Sequence, residues 1–185
     1  MQRDLVLQAQ AGDHEAFTTL AAAAISRLHR TARLIARDDD RASDAVQDAL
    51  TTAWLDIRAL RDPDRFDAWL HRLLVRACYR VAGRERRHQV ARIDVAVLDL
   101  AGLSDAGGEL AIRDQLDRGF RRLTPEQRAV LVAHHYLDLP DTEAAEALSI
   151  PAGTYKSRLS RATIALRAAL EADERAGAAA GKATA

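Results

Sequence analysis

The sequence predicts an all-α protein: two small helical domains joined by a flexible linker, the second containing a helix-turn-helix. Three observations predict this. Ala and Leu dominate a chain that is 48% hydrophobic but only 4% aromatic, a composition suited to helices packed through small residues. Apolar residues recur at helical spacing, and no stretch of the 185 residues is strand-rich. Gly102, Ser104, Gly107 and Gly108 interrupt the periodicity past the midpoint, as a linker does. The expected organisation is a first domain over 1–90, a linker over 91–111, a second domain over 112–172 and a disordered tail over 173–185.

Composition excludes several classes. The single cysteine, Cys78, leaves no internal disulfide and no multi-Cys metal site, which suits a reducing cytoplasm. No apolar run reaches membrane-spanning length, and the N-terminus lacks a basic-then-apolar layout, so a cytoplasmic protein without membrane insertion of its own is expected. Formal net charge is zero, but charge is segregated along the chain. Between 65 and 92 lie Arg65, Arg72, Arg76, Arg80, Arg84, Arg86, Arg87 and Arg92 against only Asp67 and Glu85. Between 94 and 117 the balance reverses, with Asp94, Asp99, Asp105, Glu109, Asp114 and Asp117 facing Arg113 alone. Between 152 and 170 stand Lys156, Arg158, Arg161 and Arg167 with no acid. Two basic surfaces are separated by an acidic strip, which could cover one of them intramolecularly through Asp94, Asp99 and Asp105.

Residues 4–37 read as one or two amphipathic helices carrying Leu5, Leu7, Phe17, Leu20, Ile25, Leu28, Leu34 and Ile35. Asp38, Asp39 and Asp40 interrupt them; adjacent carboxylates diverge, so a turn and helix N-cap fit better than a cation cage. The helix that follows, to about Leu60, places Val46, Leu50, Trp54 and Ile57 on one face. Asp62-Pro63 caps and starts a long helix over about 66–86, with an apolar stripe of Phe66, Trp69, Leu70, Leu73, Leu74, Ala77, Cys78 and Val81. On its other side Arg72, Arg76, Arg80 and Arg84 recur every four residues as a ridge. Like charges at that spacing cost a few tenths of a kcal/mol per pair, so a polyanion explains the ridge better than solvation, although a solvated arginine face is the alternative.

The second domain opens near Ile112. Thr124-Pro125-Glu126-Gln127 has the form of a capping box, and its helix runs through Val130, Leu131, His134 and Leu137 to a break at Leu139-Pro140. Asp141 can cap a short helix through Leu148, Ser149-Ile150-Pro151 makes a turn, and a last helix follows over about 152–171. Short helix, tight turn and longer helix form a helix-turn-helix, whose second helix can enter a major groove with its N-terminal residues on base edges. Ala144, Ala147, Leu148, Ile150, Leu159, Ala162 and Leu166 would hold the pair together and leave Lys156, Arg158 and Arg161 outward. An αα-hairpin with a basic end is the alternative. Of 27 basic residues only Lys156 and Lys182 are lysines, so the one in this helix stands against the arginine bias of the chain.

The run Ile150-Pro151-Ala152-Gly153-Thr154-Tyr155-Lys156-Ser157-Arg158-Leu159-Ser160-Arg161-Ala162 resembles the region 4 recognition helix of extracytoplasmic-function sigma factors of the sigma-70 family, where Gly-Thr-Val-Lys-Ser-Arg-Leu is typical. The segments Leu123 to Arg128 and His134 to Leu137 are similar to the start of that region. Ser43-Asp44-Ala45-Val46-Gln47-Asp48 with Ala53-Trp54 resembles the region 2 helix that docks on polymerase, and Phe66-Asp67-Ala68-Trp69-Leu70 the promoter-melting helix that comes next. The resemblance implies a promoter-reading subunit of RNA polymerase. Asp44, Gln47 and Asp48 would face core polymerase. The loop Leu60 to Arg65 would meet the -10 element, with Arg65, Arg72, Arg76, Arg80, Arg84 and Arg87 following its displaced strand. Thr154, Lys156, Ser157, Arg158 and Arg161 would read the -35 element of promoter DNA. An anti-sigma factor is the further partner implied.

Four departures from the family pattern stand out. Arg76 and Arg80 replace a common Asn and acid, Tyr155 replaces a small Val, Ala21 to Ala24 replace aromatics, and Ser149 stands where a turn glycine is frequent. Tyr155 is expected to pack beneath its helix, an added backbone contact being the alternative, and Ser149 to pay for a left-handed turn. A helix-turn-helix regulator that never binds polymerase shares only the second-domain half of the resemblance. No catalytic residue, cofactor or metal site is expected, since His134-His135 and the Asp38 to Asp40 run lie in different domains with nothing to complete a site.

Overall fold

The computed structural model describes residues 1–88 and 107–183, and side-chain surroundings over 1–81 and 112–175. Among these residues every regular element is helical. The first stretch divides into two helices, α1 (Gln2–Gln10) and α2 (His14–Ala36). Gly12 makes the break at φ 102°, a conformation open to glycine and strained for other residues. Asp13 then caps α2 by accepting from the backbone amides of Glu15 and Ala16. The apolar stripe of α2 is Leu20, Ala24, Leu28, Ala32 and Ile35, at a spacing of three or four, whereas Leu7 and Ile25 face outward.

Asp38 caps α3 (Asp39–Asp56) by accepting from the amide of Arg41, which accounts for the acidic run as a helix start. The face of α3 that enters the core is largely alanine: Ala42, Ala45, Ala49 and Ala53 are fully buried beside Val46 and Ile57. Leu50 and Trp54, expected inside, are only half-buried. Small side chains let helix axes approach closely. This is how α2, α3 and α4 (Phe66–His88) form a bundle. Phe66, Leu70, Leu74, Val75, Ala77 and Cys78 fill its centre. Burial pushes the Cys78 thiol up to about 12, so it stays neutral and behaves as a core side chain.

In the second unit α5 (Gly107–Arg121) begins inside the segment expected to be linker. The remainder of that segment, with Asp94, Asp99 and Asp105, lies outside the described residues. Gly119 of α5 sits where an added Cβ would come within 2.8 Å of Leu170, so glycine is what lets α5 press against α8 (Ala152–Ala183). The capping box forms as the sequence predicts: Thr124 N–H donates to Gln127 Oε1 at 2.9 Å and Gln127 N–H to Thr124 Oγ1 at 3.3 Å. Three corrections follow. The helix started by that box is α-helical only over α6 (Pro125–Leu131); Val132–Tyr136 widens into a π turn, with Leu137 N–H bonded to the Val132 carbonyl. Asp141 is the first residue of α7 (Asp141–Ala147) and not its cap, which is Pro140 without a side-chain bond. The expected disordered tail is helical to Ala183, the alanines after Arg175 continuing α8 across Gly177 and Gly181.

Candidate nucleic-acid interface

The helix-turn-helix consists of α7, a turn through Ser149-Ile150-Pro151 and α8. Ser149 adopts φ 54°, the left-handed turn anticipated for a position that favours glycine. Ala144, Ala147, Leu148 and Ala162 are buried between the two helices, with Ile150, Leu159 and Leu166 packed around them. Tyr155 is fully buried and its hydroxyl donates to the Val130 carbonyl at 3.5 Å, so this ring is a wedge under α8. Burial, with Asp141 nearby, pushes the Tyr155 phenol up to about 12. Seating Tyr155 inward turns the flanking residues out. Lys156, Ser157 and Arg161 are exposed, Thr154 and Arg158 half-buried. Arg161 Nε–H donates to its own helix at the Ser157 carbonyl, 3.2 Å away, and Ser157 Oγ–H to the Thr154 carbonyl at 2.9 Å.

In the first unit, the loop before α4 is built by α1, a role the sequence did not disclose. The amide of Gln10 donates to the carbonyls of Ile57 (3.0 Å) and Leu60 (2.7 Å), and Arg3 pairs with Asp64 at 2.5 Å. Asp62 accepts from the Asp64 amide and sets the short turn Pro63–Arg65 that leads into α4. Along α4 the arginine ridge exists but is not unpartnered. Arg72 Nη1 and Arg65 Nη2 both contact the carboxylate of Glu143 on α7, at 2.7 and 2.5 Å. Arg76 donates to the Glu146 carbonyl at 3.2 Å, and Arg80 lies 3.9 Å from Asp48 on α3. The acids that balance the ridge come from other helices, and no local spacing rule could have named them. The side chains of Arg84 and Arg87 lie outside those described.

The two units therefore meet, through α2 and α4 on one side and α6 and α7 on the other. Arg158 of α8 donates to the Tyr79 hydroxyl of α4 at 2.5 Å. An open cleft of about 310 Å³ beside this contact is lined by Tyr79, Thr124, Gln127, Arg158 and Arg161. Arg37, at the end of α2, forms a two-pronged pair with Asp117 of α5. Burial would raise the Asp117 carboxyl, but hydrogen bonds from Arg37 and Arg121 outweigh it and hold the group below its ordinary 3.8.

The third predicted set lies on α3, where Asp44, Gln47 and Asp48 are all exposed. Asp44, Asp48 and Leu55 are spaced by four and seven residues and share a helix face, and Leu55 is 71% exposed. Trp54 beside it is covered by His14 and Phe17, ring centroids 4.3 and 5.1 Å away. Among the described residues no group of His, Cys, Asp and Glu could hold a metal, and no helix is long and apolar enough to cross a membrane. His134 lies near Asp141, its Nδ1 3.5 Å from the carboxylate.

Comparison with known proteins agrees with both units. Residues 20–88 match the family described as Sigma-70 region 2, and residues 113–166 match Sigma-70, region 4. The chain is 34% identical to the ECF RNA polymerase sigma factor SigM of Mycobacterium tuberculosis over 82% of its own length and 76% of that protein. It is 32% identical to the RNA polymerase sigma factor CnrH of Cupriavidus metallidurans over 92% of its length and 95% of that protein. The solved structure of CnrH with the cytosolic domain of CnrY superposes with a TM-score of 0.57 at 27% identity, covering 93% of this chain and 98% of that one. The fold is also that of the Bartonella quintana sigma factor RpoE solved with the anti-sigma factor NepR, TM-score 0.62 at 24% identity over 85% of this chain and 98% of that one. A regulator that acts without polymerase would match in the second unit alone. The chain belongs to the extracytoplasmic-function sigma factors of the sigma-70 family, non-catalytic subunits that direct RNA polymerase to promoters.

Proposed function

We propose that this sigma factor divides promoter reading between its units, with the start of α8 on the -35 element and the loop and ridge of α4 on the -10 element. Thr154, Lys156, Ser157, Arg158 and Arg161 contact the upstream duplex. Arg65, Arg72, Arg76, Arg80, Arg84 and Arg87 follow the displaced strand. Asp44, Gln47 and Asp48 dock on core polymerase, and Leu55, exposed on the same face, adds an apolar contact to that surface. The observation that carries the reading is the split of α8: Tyr155 fully buried, with Lys156, Ser157 and Arg161 outward beside it.

An anti-sigma factor partner is supported by the RpoE structure, solved with the anti-sigma factor NepR, and the CnrH structure likewise holds a second protein, the cytosolic domain of CnrY. Such a partner would cover the acidic face of α3 or the basic faces of α4 and α8. The test is transcription by the full chain with core polymerase on a library of promoter-length fragments. Discrete start sites are expected, shifted in preferred upstream sequence by Lys156→Ala and in downstream preference by Arg76→Asn. Start sites whose sequence preference is indifferent to both substitutions would overturn the assignment of the reading surfaces.

A further inference from the structure

Four of the arginines assigned to DNA, Arg65, Arg72, Arg76 and Arg158, also hold the two units against each other. Glu143 presents one carboxylate oxygen to Arg65 and the other to Arg72, at 2.5 and 2.7 Å, as a phosphate would. Arg76 is turned to the Glu146 carbonyl of the same helix, and Arg158 to Tyr79. At the far end of the seam Arg37 and Asp117 are both about nine-tenths covered, their side chains 11% and 10% exposed. The contacts run from α2 to α5 and from α4 to α7 and α8, so they define one face of each unit against the other.

We infer that the free chain is self-closed, with Asp117 and Glu143 as latch carboxylates that must leave Arg37, Arg65 and Arg72 before both units can engage a promoter together. Glu143 stands in for DNA phosphate on the ridge, so intramolecular closure and strand binding compete for the same guanidinium groups. Asp117 contributes no DNA contact and only fixes the seam. The competition rests on the proposed role of the α4 arginines; the closure itself does not.

The two parts are separated by one experiment on the full-length chain without polymerase. Asp117→Arg combined with Glu143→Arg places like charges across the seam at both ends. By small-angle scattering the wild-type chain should approach the radius of gyration of one compact body, about 16 Å for this length, and the double variant should be clearly larger at unchanged helicity. Affinity for a short single-stranded oligothymidylate should rise several-fold in Glu143→Gln, which releases Arg65 and Arg72 without adding a cation. The swap Arg37→Asp with Asp117→Arg keeps opposite charges at that end and should stay compact. A double variant as compact as wild type overturns the latch. Opening without tighter oligonucleotide binding by Glu143→Gln overturns the competition and places the fault in the DNA assignment of Arg65 and Arg72. Loss of helicity in the double variant transfers the size criterion to Glu143→Gln, which should open partially; a helical Glu143→Gln chain of wild-type size also overturns the latch.

Discussion

Arg128 of α6 donates its Nε–H to the carbonyl of Ile35, 2.7 Å away near the C-terminus of α2. A cation at a helix C-terminus satisfies a carbonyl that the helix leaves open and opposes the negative end of its dipole. The same guanidinium donates to the Leu123 carbonyl at 2.7 Å and to that of Phe120 at 3.4 Å. One buried side chain therefore ties the turn before α6 to the first unit. Burial, reinforced by the charge of Arg37, brings its pKa down to about 10, still charged at neutral pH.

Arg128→Ala should accordingly destabilise the chain by about 2–4 kcal/mol, because it strands buried carbonyls as well as removing a charge-assisted bond. Arg128→Lys should recover only part of this, since an ammonium cannot span carbonyls on two elements with fixed geometry. Urea unfolding of the three proteins decides it; an Arg128→Ala midpoint equal to wild type would show that water satisfies those carbonyls.

Tyr155 separates packing from recognition at the start of α8. Tyr155→Val, the residue typical of the family, should leave a cavity and cost about 2–4 kcal/mol. Tyr155→Phe should cost less than about 1 kcal/mol, because the bond to Val130 is long at 3.5 Å. Thermal melts give the ranking, and promoter binding by folded Tyr155→Phe should match wild type. Weakened binding with unchanged stability would mean that the hydroxyl reaches DNA.

The sequence disclosed what local rules govern. Thr124 and the Asp38–Asp40 run announce helix starts because capping is settled within three residues, and Thr124 and Asp38 are caps in the structure, whereas Asp62 caps the short turn before α4 and Asp141 caps nothing. Tyr155, standing where the family typically has Val, was expected beneath its helix, and it is fully buried. The core face of α3 was read from Val46, Leu50, Trp54 and Ile57; Val46 and Ile57 are buried, but alanines rather than Leu50 and Trp54 fill the rest. Alanine is equally suited to exposed helix surface, so periodicity carries little information there. The seam was invisible for a different reason. Arg72 and Glu143 are 71 residues apart, and Arg128 and Ile35 are 93 apart. No spacing in the chain records such pairs, and the arginine ridge looked unbalanced for want of them.

Acid should loosen the Arg37–Asp117 end of the seam in a defined window. The Asp117 carboxyl is held below its ordinary 3.8 in the folded chain. Above that ordinary value the group is ionised both folded and unfolded, and its contribution is present in full. As pH falls through 3.8 toward the lower folded value, the unfolded chain takes up the proton first and the contribution is lost. Asp117→Asn removes this titration. The stability difference between wild type and Asp117→Asn should therefore be largest near neutrality, about 1–3 kcal/mol, and should shrink below about pH 4. Parallel denaturant titrations at pH 7 and pH 3.5 test the sign; a gap that widens in acid would contradict it.

Salt dependence can sort the recognition residues by what they touch. A side chain on phosphate weakens binding to every sequence when removed and lowers the slope of log affinity against log salt by about 0.9. A side chain on a base edge lowers affinity for the preferred site by about 1–3 kcal/mol and relaxes that position. Lys156 is exposed in the first turns of α8, where a helix reaches base edges, while Arg161 is exposed one turn or more further along. In holoenzyme bound to its promoter, Lys156→Ala should therefore broaden sequence preference. Arg161→Ala should reduce the salt slope with little change in preference. Arg158 differs from both because the free chain engages it with Tyr79 at 2.5 Å. Tyr79→Phe removes that acceptor without touching α8. It should tighten binding of the free chain to promoter duplex while leaving holoenzyme unchanged, since the inferred latch must open before both units engage a promoter. Equal effects in both would mean that Tyr79 and Arg158 stay in contact during promoter recognition.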